Sequence, residues 1–212
     1  MKSLLSLVLV LGAICLVAGA LLAFVNQVTE RPIAEAMRRE KLAAIEQVLP
    51  AHDNQPDTDL VTLEDGGKTW TFFVGRKGGR YVGAAFEVTS SKGYGGTIRL
   101  MVGVNADGTM EGLAVLEQKE TPGLGAKIQD PGFRDGFRGR SLTNTNWKVR
   151  KDGGDIDAIT AATISSRAVT DAVAEGIEVY LRHETAIRTG PHPVSHISHP
   201  TSRIPHPAPE VT

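Results

Sequence analysis

Four hydroxyl side chains crowd ten residues of this sequence, Asp157-Ala158-Ile159-Thr160-Ala161-Ala162-Thr163-Ile164-Ser165-Ser166, at the start of its clearest soluble helix pattern. A helix N-terminus presents unpaired N–H groups and about half a positive charge, so phosphate chemistry suits this position. The alanines leave room for a bulky ligand to approach the backbone. Ser and Thr are also common helix caps, and one of Thr160, Thr163 or Ser165 in that role explains part of the pattern. A cap uses one hydroxyl; the other three exceed what capping requires. On the residues alone both readings stand.

A second segment, Glu120-Thr121-Pro122-Gly123-Leu124-Gly125, lies about forty residues earlier. Gly123 and Gly125 permit positive φ and close backbone approach, and Leu124 offers an apolar surface for a flat ring. Pro-Gly is equally the default signature of a tight turn between strands. Gly93-Tyr94-Gly95-Gly96 forms a third, shorter glycine-rich loop before a strand pattern.

The elements that must position these loops read as α+β. Leu4 to Val25 is an apolar run of 22 residues, and apart from the Cys15 thiol only Ser6 has a polar side chain. At 1.5 Å per residue it reaches the roughly 30 Å of a bilayer core. Ala18-Gly19-Ala20 resembles a signal-peptide cleavage site, but Leu21 to Val25 continue the apolar run past it, so an uncleaved anchor is expected. Ile14 occupies the small-residue position that a lipoprotein cysteine at Cys15 would need. Flanking charges leave the orientation open, with Lys2 on one side and Arg31, Arg38, Arg39 and Lys41 on the other.

Pro32 to Leu49 predicts an amphipathic helix that starts at Pro32 and stops before Pro50. Strands are predicted at Thr71–Val74, Tyr81–Val88, Ile98–Val104 and Met110–Leu116, with Asn105-Ala106-Asp107-Gly108 as a hairpin turn. Ile164, Ala168, Ala172, Val173, Gly176, Ile177 and Tyr180 recur at helical spacing over 164–181. Helix, strands, then helix is an α+β order rather than alternating βαβ. Six of 11 prolines and four of 6 histidines fall in residues 189–212. With few large apolar side chains this tail is expected to be disordered and solvated, rather than a metal site built from His192, His196, His199 and His206.

Composition narrows the function classes. Net charge is −1 from 23 basic and 24 acidic residues, and aromatics are 5%, so there is no electrostatic or stacking footprint for nucleic acid. One cysteine excludes internal disulfides, four-cysteine zinc sites and cysteine-ligated iron–sulfur clusters; no metal site is expected. No catalytic acid or base stands out: His52 reads as a surface residue near a turn and His183 as a residue at a helix end.

Asp157 to Thr163 resembles the flavinylation motif of FMN-binding domains, Asp-x-x-Ser/Thr-Gly-Ala-Thr/Ser, with Ala161 in the usual glycine position. Glu120 to Gly125 resembles the Glu-Thr-Pro-Gly-Leu-Gly loop of the G-type component of the Rnf complex and of the C-type component of the sodium-pumping quinone reductase. The modest length favours the Rnf type. The resemblance covers roughly residues 1–185 and implies a single N-terminal transmembrane helix (1–28) and an FMN-binding domain of mixed strands and flanking helices (29–188); the Pro/His-rich tail (189–212) lies outside it. It implies FMN joined through phosphate to Thr163, with Asp157 and Thr160 as recognition elements. Ala162, Glu120, Thr121, Gly123, Leu124 and Gly125 are the further expected cofactor contacts.

The implied role is an electron relay, not an autonomous enzyme, within a complex that couples ferredoxin:NAD electron transfer to sodium or proton translocation. A flavin transferase would attach the FMN. The other membrane subunits would be the partners, and the domain would stand on the extracytoplasmic side of the bacterial inner membrane. Two alternatives use the same residues: a stand-alone anchored FMN domain feeding an extracytoplasmic reductase, and a cofactor-free membrane-tethered binding module.

Overall fold

A computed structural model describes residues 2–190, with side chains from residue 6 onward; the expected tail lies outside the described residues, apart from its first two positions. The chain begins with one helix, α1 (Lys2–Val48). Five strands follow: β1 (Leu60–Asp65), β2 (Lys68–Lys77), β3 (Arg80–Ser90), β4 (Ile98–Asn105) and β5 (Met110–Glu117). After a short helix α2 (Pro131–Arg134) and loops with single 3-10 turns, the chain closes with α3 (Thr163–Thr189).

The anchor and the expected amphipathic helix are one element. Pro32 lies inside α1 rather than at a new N-terminus. Its fixed φ of about −65° is compatible with a helix, at the cost of one intrahelical bond and crowding of its ring against the carbonyl four residues back. Residues 6–28 are exposed throughout, and one window has a mean hydropathy of 2.9, long and apolar enough to cross a membrane. Only the last two turns of α1 are buried.

The strands form an antiparallel meander in the order β1-β2-β3-β4-β5. Alternation along each strand sends side chains to opposite faces, and both faces are covered. Ala44, Ile45 and Val48 of α1, with Leu49 just after it, pack on Phe73, Ala85, Met101 and Ala114. The other face carries Phe72, Phe86, Val88 and Leu100, against Val169, Val173, Ile177 and Tyr180 of α3. Burial on both faces explains why β4 reads as a near-continuous apolar run. Fully burying one such aliphatic or phenylalanine side chain is worth roughly 1.5–3 kcal/mol relative to exposure.

Close approach depends on Gly103: a Cβ there would lie 1.8 Å from the Val48 carbonyl oxygen, so a side chain would lift α1 off β4. The predicted strands all fall within β2 to β5, and Gly108 takes φ +80 in the predicted hairpin. β1 is an addition to the predicted set. Its signal is the alternation Val61-Thr62-Leu63 before Asp65-Gly66, where Gly66 and Gly67 both take positive φ in the turn to β2. α3 runs eight residues beyond the predicted Leu181. His183 is therefore internal to the helix, where Nε2 meets Asp65 Oδ2 at 2.7 Å. The His52 side chain is only 8% exposed, and its Nδ1 lies 2.9 Å from the Pro50 carbonyl oxygen.

Candidate flavin site at the start of helix α3

Three loops meet at the N-terminal end of α3, and a buried carboxylate joins them. Glu120 is 5% exposed. Its Oε1 accepts a hydrogen bond from the Gly95 backbone N–H at 2.9 Å, and its Oε2 accepts one from the Ser165 hydroxyl. Glycines make room for this arrangement. A Cβ on Gly95 would lie 1.8 Å from the Lys119 carbonyl oxygen, and one on Gly125 would lie 2.6 Å from both Glu120 Oε2 and Ser165 Oγ. Beside this carboxylate, Thr121-Pro122-Gly123-Leu124 makes the predicted turn. Leu124 N–H donates to the Thr121 carbonyl at 3.1 Å, and Gly123 supplies φ +77.

The capping reading of the hydroxyls fails. Ala162 is the N-cap of α3 and makes no side-chain cap hydrogen bond. Ser165 is committed to Glu120. Ser166 Oγ accepts from the Ile159 N–H and donates to the Ala162 carbonyl, each at 3.0 Å, which fixes the chain entering the helix. Thr163 is the first helical residue, and its Oγ1 accepts from Lys151 Nζ at 3.3 Å. The N–H dipoles of the first turn are therefore left facing outward beside a half-buried threonine hydroxyl.

Over this point opens a cleft of about 520 Å³ lined by Tyr94, Glu120, Thr121, Leu124, Gly125, Ala161, Ala162, Thr163 and Ile164. Its size falls in the roughly 300–1,000 Å³ range of small-molecule sites. Outside α1, the exposed large apolar side chains among the described residues are Tyr94, Leu124 and Ile164, at 72%, 43% and 48% exposure. All three line this cleft. An apolar rim beside an uncapped helix N-terminus and a lysine suits a ligand with a flat apolar ring at one end and a phosphate at the other, which describes FMN.

Of the residues expected from the sequence, Glu120, Thr121, Leu124, Gly125, Ala162 and Thr163 come together here. Gly123 shapes the turn without lining the cleft. Asp157 and Thr160 are exposed and stand outside the lining, and Asp157 Oδ1 pairs with Arg150 Nε at 2.5 Å. Sequence reasoning misses Tyr94, Ala161 and Ile164 as lining residues. Tyr94 lies within a loop whose glycines carry the signal, and Ile164 fits the core stripe of the helix by spacing although its side chain faces outward. Ala161 takes φ +62, the one positive φ at a non-glycine among the described residues. That conformation is the physical reason the related motif carries glycine at this position.

The class follows from comparison with known proteins. Residues 93–178, which contain both glycine-rich loops and the Thr163 segment, match the FMN-binding domain family, and residues 1–48 match the RnfG N-terminal region. The chain is 42% identical over 187 residues to the G subunit of the ion-translocating oxidoreductase complex of Cereibacter sphaeroides, covering 84% of this chain and 85% of that one. It is 36% identical over 195 residues to the protein of the same name in Aliivibrio fischeri, covering 86% and 93%. The crystal structure of the C subunit of the Na(+)-translocating NADH-quinone reductase from Parabacteroides distasonis has the same fold, with a TM-score of 0.53 at 18% identity over 70% of this chain and 94% of that one. The chain belongs to the RnfG family, the G subunits of ion-translocating oxidoreductase complexes.

Proposed function

We propose that this chain is the membrane-anchored electron-transfer subunit of an Rnf-type ferredoxin:NAD oxidoreductase complex, carrying FMN as a phosphoester on Thr163. One observation carries the reading: the exposed apolar side chains of the folded domain gather around a single threonine hydroxyl at an uncapped helix N-terminus. Attachment is a phosphoryl transfer catalysed by a flavin transferase. Thr163 Oγ1 forms a bond to the FMN-side phosphorus of FAD, the pyrophosphate bond to AMP breaks, and the hydroxyl proton is lost. When bound, the isoalloxazine supplies the acceptance and release of electrons, and the protein supplies position and electrostatics.

The residues present divide that task. Tyr94, Leu124 and Ile164 offer the ring an apolar seat. The first-turn N–H groups of α3 would hold the phosphate, and the Glu120 clasp keeps the two walls of the cleft in register. The apolar half of α1 crosses the bacterial inner membrane once and holds the domain on its extracytoplasmic side, beside the other membrane subunits of the complex. A covalent link keeps the flavin from diffusing away from that exterior surface, and the relay serves a complex that moves sodium ions or protons.

The test is a denaturing gel viewed under ultraviolet light, with wild type and Thr163→Ala each coexpressed with a flavin transferase. The proposal expects a fluorescent wild-type band and a dark mutant band. A dark wild-type band, with the transferase active on another substrate, would leave a tethered module without covalent flavin.

A further inference from the structure

We infer that Lys151 is the cation that holds the phosphodiester on Thr163, an assignment that rests on the flavin attachment proposed above. Lys151 lies outside both the hydroxyl-rich segment and the Glu120 loop, on the 3-10 turn Arg150–Asp152. Its Nζ donates to Thr163 Oγ1 at 3.3 Å, the atom that would become the ester oxygen.

The turn is fixed in place from both sides. Arg150 N–H donates to the Ile156 carbonyl at 2.8 Å, and Val149 bridges to Ile156. Asp152 then ties the turn to α3, taking a two-pronged contact from Arg167 at 2.6 and 2.7 Å. Chain return at Gly154 requires a glycine, since a Cβ there would lie 2.0 Å from the Lys148 carbonyl oxygen. The backbone that carries Lys151 is thus held against the first turns of the helix that carries Thr163.

Charge distribution gives the contact its meaning. Arg150 has Asp157 at 2.5 Å and Arg167 has Asp152 at 2.6 Å. Among the described residues no carboxylate lies within 4.0 Å of Lys151 Nζ, and its hydrogen-bond acceptor is the neutral Thr163 hydroxyl. A phosphodiester on that oxygen would place a negative charge in direct contact with this lysine. An ammonium on a flexible stem can follow either free phosphate oxygen. A phosphate on Thr163 would have the first-turn N–H groups of α3 and the Lys151 ammonium as its donors.

The experiment uses the full chain in detergent, incubated with FAD and a flavin transferase, for wild type, Lys151→Met, Lys151→Arg and a distant control, Lys68→Met. Initial rates of flavin incorporation are read from gel fluorescence. Thermal midpoints are read by circular dichroism before and after incorporation. Lys151→Met should slow incorporation about fivefold at low salt, the size of an exposed charge pair. It should also shrink the rise in midpoint that flavin attachment gives wild type. Lys151→Arg should restore most of both effects and Lys68→Met should change neither. The difference should close as salt nears 1 M, where the screening length is about 3 Å; a merely structural role would not respond in this way. Lys151→Met indistinguishable from wild type, or Lys151→Arg as impaired as Lys151→Met, overturns this assignment and leaves the flavin reading intact. A wild type that takes up no flavin overturns both.

Discussion

The Ser165 hydroxyl donates to the carboxylate of Glu120, a residue 45 positions earlier in the chain, and so joins the first turn of α3 to the Pro-Gly loop. The same carboxylate accepts from Gly95 at 2.9 Å. The cleft around Thr163 is therefore closed by one buried carboxylate with two donors, not by the glycines alone.

Glu120→Ala removes the acceptor from both donors and leaves the buried Ser165 hydroxyl without a partner. The expected cost is about 3 kcal/mol, because an orphaned buried donor costs about 1–3 kcal/mol and charged bonds lie at the upper end. For a domain of this size that lowers the thermal midpoint by roughly 6–12 °C. Glu120→Gln keeps one acceptor and loses less. A midpoint unchanged in Glu120→Ala, measured by circular dichroism, would show that the clasp does not hold the site.

Ala161 takes φ +62, where a side chain is strained and glycine is not. Ala161→Gly should therefore stabilise the unmodified protein by about 0.5–1 kcal/mol, the strain relieved less the larger chain entropy of glycine. The midpoint should rise by about 2 °C. A lower midpoint would mean that the Ala161 side chain contributes packing that outweighs its backbone strain.

The Glu87 carboxyl titrates below its ordinary value of 4.5; burial pushes it up, but hydrogen bonds from Arg99 and Lys41 outweigh that. Arg99 Nε donates at 2.8 Å and Lys41 Nζ lies at 3.2 Å, so the group links α1 to β3 and β4. A carboxyl depressed in the folded state contributes stability above its unfolded pKa and loses it as pH falls through the folded value. Urea midpoints of wild type should thus exceed those of Glu87→Gln at pH 7, and the gap should close as pH falls below the ordinary carboxyl value of 4.5. A gap that persists at the acid end would assign the effect to packing rather than to charge.

Much of this is legible in the sequence because the relevant signals are local. The strands β2 to β5, the Gly108 turn and the stripe of α3 follow from alternation, turn chemistry and helical spacing. Glu120, Leu124, Gly125, Ala162 and Thr163 stand out in two short motifs. What is not legible depends on contacts between distant segments. Burial of Glu120 and its bonds to Gly95 and Ser165 require three loops to meet, and no periodicity encodes that. Lys151 reaches Thr163 from a turn fixed by the Arg167–Asp152 pair, a tertiary contact. Pro32 reads as a helix start because proline favours that position, yet its ring is also accommodated inside a helix that runs on from the preceding turns. Ile164 shows the limit of periodicity, since a residue at the edge of an apolar stripe can face the core or a ligand cleft.

The central claim is a covalent flavin on one atom, and peptide mass spectrometry of the chain coexpressed with a flavin transferase tests it most directly. The account predicts that the wild-type peptide containing Thr163 gains the mass of FMN less one water, with fragmentation placing it on Thr163. Thr163→Ala should lose the modification. An unmodified wild-type peptide alongside a transferase active on another substrate, or a modification found on Thr160, would contradict the account.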